Sequence, residues 1–162
     1  MRHFMQTNGY GYGDEGRDAL GRVFARCCGA EGAIVSPAIL SGTHAISIAL
    51  FGVLRPNERA LCITGAPYDT LRGVIEGEGV GSLKDFGINF DIIELNGGGK
   101  IDTDKVVTAL ETNDYKMVYI QRSRGYELRD AFSVEEIGAV CALVRKCGFQ
   151  GCIFVDNCYG EF

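Results

Sequence analysis

Asp156 stands at the end of an apolar run, Cys152 to Val155, and Asn157, Cys158 and Tyr159 follow it directly. A run of this length with two β-branched residues reads as a buried strand. Ligands of open α/β sheets bind at the carboxyl ends of the strands, which puts Asp156 in a crevice rather than a wall. A carboxylate there can pair with a protonated ring nitrogen. It can equally cap a following helix.

Three other groups fall at the same edge. Ser41, Gly42 and Thr43 open a strongly apolar helix. Small residues admit a ligand to the backbone there, and helix-terminal N–H groups bind phosphate; a plain N-cap explains the same residues. Tyr68 follows a strand by way of Pro67 and could stack on a planar ring or simply pack. Arg122 and Arg124 leave the end of another strand, where they suit a phosphate or carboxylate or a solvated loop. A phosphate cradle, a stacking aromatic, an arginine loop and a strand-end acid together meet the needs of pyridoxal 5'-phosphate: phosphate on backbone, ring against a side chain, pyridine nitrogen on a carboxylate. The alternatives are a phosphate- or nucleotide-binding α/β module without chemistry, centred on Thr43 and tolerant of losing Asp156, and an inactive truncated product.

Other motifs carry less. Gly11 to Gly16 matches the G-x-G-x-x-G spacing, but no strand precedes it, and Asp14 and Glu15 would repel a pyrophosphate. The seven cysteines include no C-x-x-C pair and outline no metal site.

The elements that must position these residues alternate along the chain. Helices are expected over 14 to 28, 44 to 54, 68 to 76, 102 to 111 and 133 to 146, the last opened by the capping box Ser133-Val-Glu-Glu136. Strands are expected over 33 to 35, 60 to 64, 89 to 95, 117 to 121 and 152 to 155. Strand–helix alternation predicts an α/β fold with a mostly parallel sheet flanked by helices. Residues 1 to 13 read as an N-terminal arm or loop, and 14 to 162 as one domain.

Composition narrows the class. Hydrophobic residues make up 46% and charged residues 23%, with net charge −5, as in an ordinary globular protein. No run of Lys and Arg marks a nucleic-acid surface, and no apolar run is long enough to span a bilayer. An odd number of cysteines, several inside apolar runs, fits reduced and mostly buried thiols in the cytoplasm.

Several blocks resemble one family: Gly9-Tyr-Gly-Tyr-Gly-Asp-Glu-Gly-Arg-Asp18, Ser41-Gly-Thr-His-Ala-Ile46, Leu50-Phe-Gly-Val-Leu-Arg-Pro56, Ile63-Thr-Gly-Ala-Pro-Tyr-Asp-Thr70, Ile120-Gln-Arg-Ser-Arg-Gly-Tyr126 and Phe154-Val-Asp-Asn-Cys-Tyr-Gly-Glu-Phe162. Over nearly its whole length the chain resembles the methionine gamma-lyase-like family, also known as aluminium resistance proteins. That family is similar to the cystathionine-type, fold type I enzymes. The resemblance implies a partial PLP-transferase large domain (aspartate aminotransferase-like) and a carbon–sulfur lyase acting on a sulfur-containing amino acid. It implies Gly42 and Thr43, with Ser41, on the cofactor phosphate, Tyr68 on the ring, Asp156 on the pyridine nitrogen and Tyr159 near the ring. Tyr10 and Tyr12 would belong to an arm that reaches a partner subunit's site in a dimer or tetramer. Arg122 and Arg124 are candidates for the substrate. The Arg122-Ser-Arg124 loop departs from the Glu-Ser-Pro-x-Asn pattern of the better-known cystathionine enzymes. The lysine that carries the cofactor as a Schiff base follows the Asp strand in this fold, yet Lys84, Lys100, Lys105, Lys116 and Lys146 all precede Asp156. The chain is therefore expected to be the front part of a longer cofactor-binding domain.

Overall fold

The computed structural model describes residues 2–4, 10, 13–124 and 127–160. They form two compact units, Met1–Ser41 and Gly42–Phe162.

In the first unit a 3-10 turn, Arg2–Phe4, is followed by α1, Glu15–Cys27. Asp14 caps α1 by accepting the Arg17 N–H at 3.1 Å, and Glu15 and Asp18 favour the positive helix start. The apolar side chains Leu20, Val23 and Phe24 stay exposed, and Ala25 is the buried residue of the helix. The strand expected over 33 to 35 does not form. A strand needs a neighbour to take its backbone groups. The Ala33 carbonyl instead lies against α1, so close that a Cβ on Gly21 would meet it at 2.8 Å.

The second unit holds α2 (Gly42–Val53), β1 (Arg59–Cys62), α3 (Asp69–Glu76), β2 (Asn89–Ile92), α4 (Thr103–Thr112), β3 (Met117–Gln121), α5 (Val134–Lys146) and β4 (Cys152–Asp156). All strand pairs are parallel, in the order β2-β1-β3-β4. The two-residue period of a strand divides the side chains between two cores. Ala60, Cys62, Met117, Tyr119 and Phe154 face α2 and α3. Leu61, Ile63, Val118, Ile120 and Val155 face α4 and α5. Leu50, Leu71, Val106 and Val144 are fully buried helix anchors for these layers, each worth about 1.5–3 kcal/mol over exposure.

The capping box at α5 is present, with the Glu136 N–H on Ser133 Oγ at 3.2 Å and the Ser133 N–H on Glu136 Oε2 at 2.9 Å. Helix α2 begins two residues before the expected His44, because glycine is tolerated at a helix start. From β1 the chain moves outward to β2, then crosses to β3 on the other side. The carboxyl ends of β1 and β3 therefore form a topological switch point, the usual place for a ligand crevice.

Candidate functional site

Register decides what meets at that crevice. Gln121 lies opposite Asp156 across β3 and β4, and Tyr119 lies opposite Phe154. Asp156 is the last residue of β4 and is 5% exposed. Its Oδ1 accepts the Cys158 N–H at 3.1 Å. Its Oδ2 is buried without a hydrogen-bond partner. A buried carboxylate oxygen left this way is costly, and a donor brought by a ligand would relieve it.

Thr43, in the first turn of α2, has its hydroxyl 3.1 Å from the Tyr68 hydroxyl and 3.3 Å from that of Thr70. The Tyr68 backbone N–H donates to Gln121 Oε1 at 3.2 Å. Gln121 in turn donates its own backbone N–H to Thr64 Oγ1 at 2.9 Å. Burial pushes the Tyr68 phenol up, the Thr43 hydroxyl partly opposes this, and the negative charge of Asp156 adds to it. Cys158 closes the arrangement, since a Cβ on Gly42 would meet its Sγ at 3.2 Å. The helix start, the aromatic and the strand-end acid thus share one corner. That corner can take an anion at Gly42 and Thr43 and an N–H donor at Asp156.

The other sequence candidates are placed differently. Ser41 is the last residue of the first unit and is exposed. Tyr159 has left-handed backbone, with φ 63°, and its side chain is 92% exposed. Arg122 turns inward: Nε donates to the Phe132 carbonyl at 3.1 Å, and Nη1 to Asn157 Oδ1 at 2.7 Å and the Gly160 carbonyl at 3.0 Å. It anchors the loop after Asp156, and a Cβ on Gly160 would collide with its guanidinium. Arg124 is exposed and donates to the Arg129 carbonyl at 3.3 Å. Tyr10 is exposed in the first unit, and Tyr12 lies outside the described residues.

Thr64, Tyr119 and Gln121 were not singled out by sequence. The signal was available in the polar ends of two apolar strands, which gain meaning only once register is known. Arg129 also went unnoticed. Its side chain, 7% exposed, binds Glu127, the Ser123 and Asp130 carbonyls and the Phe132 ring, so it organises the loop after β3. Among the described residues no cysteine is in a disulfide, and Cys62 is the buried one; Cys27 and Cys28 are exposed at the end of α1, and the rest are half-buried. Among the described residues no three His, Cys, Asp or Glu cluster to hold a metal, and no helix is long and apolar enough to cross a membrane. A groove of about 900 Å³ opens at the opposite, amino edge of the sheet beside Arg59, Tyr115 and Gly151. Its Arg59 is tied to Asn113 and Asp91, which favours the carboxyl edge as the reactive one.

A family model described as Methionine gamma-lyase matches residues 1–162. The chain belongs to this family. As a methionine gamma-lyase family member it is 50% identical to the uncharacterized protein YnbB of Bacillus subtilis (strain 168), over 99% of this chain and 38% of that protein. A crystal structure from Clostridium acetobutylicum, of a protein provisionally named a cystathionine beta-lyase involved in aluminum resistance, is 43% identical with TM-score 0.95, over 99% of this chain and 39% of that one. A carbon-sulfur lyase involved in aluminum resistance from Clostridium novyi NT is 42% identical with TM-score 0.91, over 98% of this chain and 38% of that one. The chain thus spans about two fifths of the length of these relatives. The PLP-bound C-S lyase of Staphylococcus hominis, at 16% identity and TM-score 0.53 over 70% of this chain and 27% of that one, shares the fold alone.

Proposed function

We propose that the protein is a pyridoxal 5'-phosphate-dependent carbon–sulfur lyase acting on a sulfur-containing amino acid, and that this chain supplies the front part of its cofactor-binding domain. The observation that carries the reading is the buried, unpartnered Oδ2 of Asp156 beside the start of α2 and Tyr68. Gly42 and Thr43, with Ser41, would take the phosphate, Tyr68 the ring face and Asp156 the ring N–H. Tyr159, Tyr10 and Tyr12 belong in this reading to the wider site or to that of a partner subunit in a homo-oligomer, with Arg124 toward the substrate. When bound, the cofactor supplies an electron sink for the carbanion left at the substrate's α-carbon.

With the cofactor bound, Asp156 would hold the proton on the ring nitrogen, because a buried negative charge favours the cationic ring over the neutral one. The Cys158 N–H fixes one carboxylate oxygen and leaves the other for the ring. Thr43 and Gln121 orient Tyr68 through its hydroxyl and its backbone. Arg122 serves the site by holding Asn157 and Gly160 in place. Three of the five lysines are engaged in ion pairs: Lys84 with Glu78, Lys100 with Glu136 and Lys105 with Asp102. Lys116 precedes the amino end of β3, and Lys146 ends α5. The 162 residues are therefore proposed to bind the cofactor without covalent attachment and to turn over negligibly by themselves. Seven cysteines outside any disulfide suit a reducing compartment, and we take it to be the cytoplasm.

The test is a titration of the protein with pyridoxal 5'-phosphate, followed by absorbance. Saturable binding is expected, weakened about 10- to 100-fold by Asp156→Ala, since a hydrogen bond to a charged group is worth about 1.5–3 kcal/mol. If Asp156→Ala binds as tightly as the parent while Thr43→Val does not bind, the site is a phosphate-binding module and the lyase reading fails.

A further inference from the structure

The face of the sheet toward α2 and α3 carries a second buried polar atom with no hydrogen-bond partner, the Tyr119 hydroxyl. Tyr119 is completely buried on the central strand β3. Its ring is clamped: Phe154 stacks on it at 5.4 Å and 18°, and Phe90 meets it edge-on at 5.8 Å. The ring cannot swing away to water, so its hydroxyl must find an acceptor within the core or remain a loss. Phe154 is its cross-strand neighbour, and Asp156 is two residues further along β4 on the same face. Such a diagonal pair is within reach of a long aromatic side chain. Two orphaned groups, one a donor and one an acceptor, are therefore diagonal neighbours on one face of the sheet at the cofactor corner.

We propose that Tyr119 is a positioning residue for Asp156, its hydroxyl donating to the carboxylate from below and fixing the oxygen that the ring nitrogen meets. The inference rests on the reading of Asp156 as the partner of that nitrogen. A carboxylate oxygen has two lone pairs, so it can accept the phenol O–H and the ring N–H together. The Cys158 N–H holds the other oxygen. With both donors in place the carboxylate plane has one orientation, and its charge is stabilised without being neutralised. Burial raises the affinity of the Tyr119 phenol for its proton, and among neighbouring charges Asp156 acts on it most strongly, ahead of Cys62 and Tyr68. A phenol that keeps its proton beside a carboxylate is what a permanent donor requires.

A double-mutant cycle on the full chain tests this, with Tyr119→Phe, Asp156→Ala and the pair, read by urea unfolding without cofactor and by pyridoxal 5'-phosphate affinity. Tyr119→Phe is expected to weaken cofactor binding about fivefold when Asp156 is present and to have no effect in the Asp156→Ala background, with unfolding constants non-additive by a similar factor. Equal effects in both backgrounds would overturn the proposal, since loss of packing alone does not depend on Asp156. If no variant or parent binds the cofactor but the unfolding cycle is non-additive, the cofactor reading fails while the Tyr119–Asp156 pairing stands. If Tyr119→Phe does not fold, ¹³Cζ-labelled tyrosine gives the answer. The Tyr119 resonance shifts in Asp156→Ala if the hydroxyl bonds the carboxylate, and an unmoved resonance overturns the proposal.

Discussion

Asp91 on β2 and Asp156 on β4 are carboxylates on strands of one sheet, and the chain treats them differently. Asp91 Oδ2 takes the Arg59 Nη2 donor at 2.6 Å and the Tyr115 hydroxyl at 2.8 Å, while Arg59 Nη1 goes on to Asn113. Asp91 is thus supplied by its own chain, although the buried Arg59 Nε is left over. Asp156 is more deeply buried, yet it receives one backbone N–H and keeps one oxygen open. A carboxylate that only needs to hold a fold is given its donors. One that waits for a ligand keeps acceptor capacity in reserve, and the fold bears part of the cost in the absence of that ligand.

The comparison breaks most visibly on cofactor affinity. Asp156→Ala removes the acceptor left for the ring nitrogen, so a loss of about 10- to 100-fold in binding is expected, with a smaller fall in the urea midpoint from the donors of Cys158 and Tyr119 that it strands. Asp91→Ala should do the reverse: it strands Arg59 and Tyr115, lowers stability by about 1–3 kcal/mol, and leaves cofactor affinity as it was. If both substitutions act alike on both measurements, the distinction drawn between the two carboxylates is wrong. Arg122→Ala sharpens the contrast at smaller scale. It frees the loop from Asn157 to Gly160 and should cost about 1–2 kcal/mol in stability and a several-fold loss of binding, which equilibrium dialysis would detect.

Alkaline pH tests the closed network. Burial, then the Asp91 hydrogen bond and charge, push the Tyr115 phenol from 10.0 to about 12. Burial pushes the Cys62 thiol from 9.0 to about 11. The folded state holds these protons more tightly than the unfolded chain, so their contribution is complete below about pH 9. It is lost as pH rises toward 12. Tyr115→Phe should flatten the upper part of that decline in a series of unfolding curves; an unchanged slope would remove Tyr115 from the account. The smallest effect expected is that of Ser133→Ala, about 1 kcal/mol from loss of the α5 cap, without any change at the site.

Much of the fold was legible because its signals are local. The capping box at Ser133 and the apolar runs at Met117 and Cys152 each announce an element from within a few residues. The strand at 33 to 35 misled because an apolar triplet says nothing about whether a neighbour is available; its carbonyl went to α1. At the site, Asp156, Thr43 and Tyr68 were legible as polar residues at element ends. Arg122 was read as a ligand holder, but a long flexible cation can turn inward to backbone carbonyls, and sequence does not show which way it turns. Tyr119 and Gln121 stayed hidden inside a strand whose five residues are all buried. Their importance comes from the pairing of β3 with β4, which is a long-range fact.

The most direct test of the central claim is ¹⁵N NMR of pyridoxal 5'-phosphate labelled at the ring nitrogen and bound to the protein. A protonated nitrogen is expected at a pH where the free cofactor has lost that proton, and its deprotonation in Asp156→Ala. A bound cofactor whose nitrogen titrates as it does in water, or identically in both proteins, would contradict the assignment of Asp156.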